Sequence, residues 1–202
     1  MLFHHSALAI LTRHIRLIIA VGLLAALVSL LVSLFFPLEY RADAQVLIIS
    51  QSRSGVDPYT VVKSAERVGE NVSAVMKTND FFEKVTRQEG YTLDLSRFEN
   101  IPERVKRKRW QKTVESSVVY GTGVLGISAY HEDAEQAAQF AGAAADTLAA
   151  RGWEYVGGDV TIKVVNRPVA TRFPVRPNLL ANAVLGFLSG IILVYILLLK
   201  RG

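Results

Sequence analysis

The chain has 202 residues, no cysteine, 50% hydrophobic residues and a formal net charge of +5, from 23 Lys plus Arg against 18 Asp plus Glu. Half-apolar composition excludes a disordered chain, and the lack of cysteine excludes a disulfide scaffold, a thiol nucleophile and Cys-ligated zinc. A length of one or two domains leaves a soluble enzyme or a membrane protein, and the placement of the charges separates these.

Residues 17–36 carry no charge, and neither do residues 179–199. At about 1.5 Å of rise per residue, each stretch is long enough to span the ~30 Å hydrocarbon core. All 18 acids lie between positions 39 and 159, and 19 of the basic residues lie between positions 41 and 176, so that region is nearly neutral. The other positives, Arg13, Arg16, Lys200 and Arg201, sit on the outer flanks of the apolar stretches. This distribution argues against a nucleic-acid partner. The positive-inside rule makes both flanks cytoplasmic. Arg172 and Arg176 lie on the other side of the second stretch, but in a long loop, and long loops cross largely regardless of charge. The expected plan is a cytoplasmic N-terminus over 1–16, a transmembrane helix over 17–36, an exported domain over 37–178, a second transmembrane helix over 179–199 and a cytoplasmic tail over 200–202. A cleaved signal peptide is the competing reading, since Ala42-Asp43-Ala44 fits an A-x-A site. A signal core has about 7–15 apolar residues, fewer than this stretch has, so the anchor reading is preferred.

In the exported region, residues 41–50 alternate and then turn apolar with β-branched residues, a strand signature. Residues 51–58 (QSRSGVDP) read as loop. Val61, Ala65, Val68, Val72 and Val75 recur at helical spacing, giving a helix over 59–76. Thr78-Asn79-Asp80 offers a cap for a short helix ending at Gly90, and Asn100 and Pro102 open another to about Val114. Runs 117–120 and 124–130 around Gly121-Thr122-Gly123 read as a hairpin. Residues 133–151 are helical and alanine-rich, with acids at the positive end of the dipole. Residues 160–166 form a last strand, ahead of the proline-rich segment 167–178. The fold class is α/β (α+β). The expectation is a small mixed sheet near the membrane, with the first and last strands paired and helices extending outward.

Several motifs weigh little. Gly121-Thr122-Gly123-Val124-Leu125-Gly126 matches GxGxxG, but the dinucleotide fingerprint needs a helix straight after the glycines. Here a strand continues, so the motif reads as a turn. His131-Glu132-Asp133 reads as a helix start rather than a metal site, because no second histidine lies in the exported region. No P-loop occurs. No catalytic residue, metal site or cofactor is assigned, and the chain is expected not to be an enzyme. Arg104, Lys106, Arg107, Lys108, Arg109 and Lys112 form the densest charge run. It reads as a solvated face, or as a patch for anionic lipid headgroups or an acidic glycan. In the second apolar stretch Gly186 and Gly190 form GxxxG, and the first holds Gly22, Ala26, Ser29 and Ser33. Small residues let helices approach closely in lipid, so these serve packing within the hairpin or between subunits.

Two apolar stretches bracketing an exported α/β domain, with the sequence VVNRPVATRFPVRP at 164–177 leading into a Gly186/Gly190 helix, resemble the Wzz-type polysaccharide co-polymerases, or chain-length determinants. Pro168, Pro174 and Pro177 match the proline-rich segment of that family, and the early strand and GISAYHEDAEQAAQFAG at 126–142 also look like family features. Prolines fix φ and make a stiff extended lead-in to the second membrane helix. The resemblance implies an inner-membrane protein that assembles as a homo-oligomeric ring. It implies action with a polysaccharide polymerase or export machinery to set the length of O-antigen, capsule or exopolysaccharide, without glycosyltransferase activity. It allows a separate cytoplasmic tyrosine kinase as a further partner; with Gly202 following Lys200-Arg201, no fused kinase is expected. Two rivals stand beside it: a membrane-anchored sensor of an exported ligand acting through a partner protein, and a glycan hydrolase.

Overall fold

The computed structural model describes residues 13–50, 57–157 and 160–201. They fold as two compact units. One holds the described residues up to Leu38 together with those from Val175 onward, and the other is Glu39–Pro174.

The first unit is a pair of apolar helices, α1 (Ile15–Ser33) and, at the end of the chain, α7 (Leu179–Arg201), packed against one another along their length. Both are long and apolar enough to cross a membrane. The first helix begins two residues earlier than the uncharged stretch and ends at Ser33, so Leu34, Phe35 and Phe36 follow it. The second runs through Lys200, whose charge closes the apolar span.

The second unit contains β1 (Tyr40–Ser50), α2 (Pro58–Val75), α3 (Asn79–Thr86), a 3-10 turn at Ser96–Phe98, α4 (Glu103–Thr113), β2 (Val114–Val119), β3 (Val124–His131), α5 (Ala134–Arg151), the short α6 (Trp153–Val156) and β4 (Val160–Ala170). The strands form one sheet in the order β2-β3-β1-β4. Every neighbouring pair is antiparallel, so the sheet is not the mixed one expected, although the α/β class stands. The first and last strands pair, as expected.

Alternation along the strands decides which face is covered. Ala42, Ala44, Val46 and Ile48 of β1 and Leu125, Ile127 and Ala129 of β3 are buried against α2 and α5. Between them Asp43 and Ser128 bond across the other face at 2.6 Å, as do Gln45 and Asn166 at 2.7 Å. The result is two layers, with helices on one side of the sheet. Alanine at 137, 141, 143, 144 and 145 lets α5 lie close on the strands, and all five are fully buried. The core is completed by an aromatic group of Phe81, Phe82, Phe98, Trp110 and Phe140. The Trp110 indole N–H, buried, donates to the Met76 carbonyl at 2.7 Å.

Local signals explain most element ends. Asp57 caps α2, accepting from the Thr60 N–H at 3.2 Å with Pro58 in the first turn. Thr78 caps α3, and Asp133 caps α5 at 2.8 Å. The hairpin turn uses Gly121 and Gly123 at φ of +80° and +68°, a conformation that favours glycine. Its GxGxxG continues into β3, so no helix follows to receive a phosphate. Three ends differ from expectation: α3 stops at Thr86 rather than Gly90, β2 starts directly after α4 at Val114, and β4 continues through Arg167 and Pro168 to Ala170.

Candidate functional site

Three places carry the residues singled out by sequence. The first is the helix pair. A Cβ built on Gly186 would lie 2.6 Å from the Ser29 Cβ, and one on Gly190 would lie 2.7 Å from the Ala25 Cβ and 3.1 Å from the Gly22 Cα. A Cβ on Gly22 would meet the Phe187 ring at 2.9 Å. All three glycines are therefore used between α1 and α7 of one chain. The contact is pinned by polar groups: the Ser29 hydroxyl donates to the Asn182 carbonyl, and the Asn182 amide donates to the Ser33 hydroxyl, each at 2.8 Å. The Ser33 hydroxyl donates in turn to the Ser29 carbonyl at 2.8 Å. Asn182 was not singled out by sequence; as a lone amide in an apolar helix it carried the signal.

The second place is the basic helix α4. Trp110 and Thr113 turn inward, and the run divides around them. The Lys106 ammonium lies 5.0 Å from the Phe82 ring centre and 3.6 Å from Glu103, so its stem covers the aromatic core. Arg107 donates to the Asn79 side chain at 3.4 Å, and Arg109 donates to the Arg97 carbonyl at 2.5 Å. Arg104, Lys108 and Lys112 are exposed at four-residue spacing along the outer side. Beside them Glu39, Arg97, Arg109, Lys112 and Thr113 line a hollow of about 330 Å³. Arg97 is its hub: it pairs with Glu39 at 3.1 Å and with Glu132. Arg97 is thus already paired with two carboxylates, and Arg109 and Lys112 bring further positive charge to the hollow that suits an anionic group. Arg97 and Glu39 were missed by sequence because 58 residues separate them.

The Arg97 charge also acts on His131. This side chain is buried, stacks on Phe140 with ring centres 6.0 Å apart, and accepts the Asp133 N–H at 3.1 Å. Its other nitrogen stands 3.8 Å from Asp94 and makes no hydrogen bond. Burial, with the Arg97 charge adding, holds its pKa below the ordinary histidine value. Among the described residues no group of three His, Cys, Asp or Glu side chains is placed to hold a metal.

The third place is the proline-rich segment. The structure divides it. Pro168 lies within β4, an edge strand and so a position where a missing N–H is tolerated; it belongs to the sheet and not to the lead-in. Pro174 closes the second unit, and Pro177 follows a cis peptide bond ahead of α7.

Residues 7–89 match the Wzz family, described as chain length determinant protein. The chain carries a Wzz domain. The matched range, less than half of the chain, takes in α1, β1, α2 and α3. Pro168, Pro174, Pro177, Gly186, Gly190 and the basic helix lie outside the range matched to Wzz. No curated protein matches the chain. Two membrane-length helices around a folded unit accord with the Wzz assignment.

Proposed function

We propose that this Wzz-domain chain is an oligomeric inner-membrane scaffold that sets the length or export of a cell-surface polysaccharide such as O-antigen, capsule or exopolysaccharide. The observation that carries the reading is the Wzz match running from the first membrane-length helix into the folded unit. Both termini are cytoplasmic in this proposal, by the positive flanks, and Glu39–Pro174 is exported. The scaffold works by holding and positioning partners, a polymerase or export protein among them, and catalyses no reaction itself. The hollow at Arg97, Arg109 and Lys112 would take an anionic lipid headgroup or an acidic glycan.

Deleting the gene and resolving surface polysaccharide on a gel tests the proposal. A shifted or dispersed length distribution, restored by the intact gene, is expected. An unchanged distribution overturns it, as does turnover of surface glycan by the purified protein.

A further inference from the structure

Two irregularities in β4 fall side by side. Opposite β1 the register slips once between Asp43 and Gln45, which sets Arg167 and Pro168 against Ala44 alone and leaves one residue extra on β4. It slips again between Gln45 and Val46, which leaves Val165 extra. Bulges bend a strand and re-aim its side chains, and they concentrate beside binding sites. These bulges open a cavity of about 220 Å³ lined by Tyr91, Asp146, Arg167, Val165, Pro168 and Gly142, with Val164 and Ala145 beneath. The floor is α5, where glycine is required: a Cβ at position 142 would lie 2.7 Å from the Tyr91 ring. The ring seated there lets the Tyr91 hydroxyl donate to Asp146 at 2.6 Å.

The chemistry of the wall is balanced. Asp146 only accepts hydrogen bonds and Arg167 only donates them. They face one cavity, yet no ion pair within 4.0 Å joins them. A ligand that fits must both donate and accept, must carry no net charge, and must be smaller than drug-sized ligands, whose pockets run to ~300–1,000 Å³. The hydroxyls of a sugar ring meet this, since each is donor and acceptor at once. Val164, Val165, Pro168 and the Tyr91 ring offer the apolar surface that the C–H side of such a ring needs.

We infer that the Tyr91–Asp146–Arg167 cavity binds one uncharged hexose unit of a glycan chain. The choice of a sugar over another neutral polyol rests on the proposed role in polysaccharide length. The site is separate from the basic hollow and takes a different class of ligand.

The test uses the full chain in detergent with neutral hexaoses of glucose, mannose and galactose, observed by saturation-transfer NMR. At least one is expected to bind, and Asp146→Asn and Arg167→Met are expected to weaken it about tenfold or more by orphaning hydroxyls. Val165→Trp, at an exposed edge position, blocks the cavity without touching the core and should abolish binding; Arg104→Gln should leave it intact. No binding of any hexaose overturns the inference, as does binding unaltered by Val165→Trp. Preference for zwitterionic glycine over every sugar overturns it too. In cells, a glycan ladder shifted by gene deletion but not by Val165→Trp also sinks the cavity while sparing the length-determining role. A ladder indifferent to deletion sinks that role, and hexaose binding in vitro then stands or falls separately.

Discussion

Asn182 and Ser33 are joined by a 2.8 Å hydrogen bond between helices that are otherwise almost wholly apolar. An amide in an apolar surround is costly without partners, and here its side chain and carbonyl both reach α1. Replacing Asn182 by Leu should weaken the helix pair by about 0.6–2 kcal/mol. Unfolding of the full chain in detergent, with Ser33→Ala and the double variant completing a cycle, measures the shared part.

The glycines of α7 set a steeper limit. Leucine at Gly186 or Gly190 would drive side-chain atoms into Ser29 or Ala25 and should cost on the order of 1–2 kcal/mol of helix association. The surface-glycan ladder should shift with either variant. Ladders matching those of the unaltered chain in both would separate hairpin packing from length control.

Trp110 links α4 to the end of α2 through its buried hydrogen bond and touches three aromatic rings of the cluster, Phe81, Phe82 and Phe98. Trp110→Phe keeps most of the volume but orphans the Met76 carbonyl, at a cost of about 1–3 kcal/mol. Trp110→Ala adds a cavity and should cost about 3–5 kcal/mol. Denaturant unfolding followed by circular dichroism ranks the two.

His131 gives the second unit a pH dependence with a definite sign. Its folded pKa lies below the unfolded value of about 6.5. Between those values the unfolded chain binds the additional proton, so stability rises with pH there. The contribution is complete above about pH 6.5 and is lost as pH falls through the folded pKa. Denaturation midpoints from pH 8 downward should therefore decline across that window, and His131→Phe should flatten this part of the profile. A midpoint that rises on acidification through the window contradicts the assignment.

How much of this was readable in one dimension depends on the range of the interaction. The helix over Val61–Val75 and the caps Asp57, Thr78 and Asp133 are local, and periodicity and side-chain chemistry reveal them. The α4–β2 junction is not: Lys112 and Thr113 are unremarkable in a helix, and the change at Val114 follows from burial of Trp110 and pairing with Ala129. Pro168 was read as lead-in because proline argues against a strand; an edge position with a bulge removes that objection. The even look of the basic run concealed its division. Lys106 and Arg109 take their roles from Phe82 and Arg97, which lie in other elements. The Tyr91–Asp146 bond spans 55 positions, and nothing near either residue announces it.

The two ends of the Glu39–Pro174 unit leave it side by side, because β1 and β4 run antiparallel. At that mouth the Thr171 N–H donates to the Arg41 carbonyl at 2.7 Å, and the Thr171 hydroxyl accepts from the Arg41 N–H at 3.1 Å. A tug that spreads the two leads would load this clasp ahead of the β1–β4 ladder, which would then part like a zipper, bond by bond. Tension shared equally by the leads would leave it shut. Thr171 thus stands where a mechanical load on the anchors is either stopped or passed into the sheet.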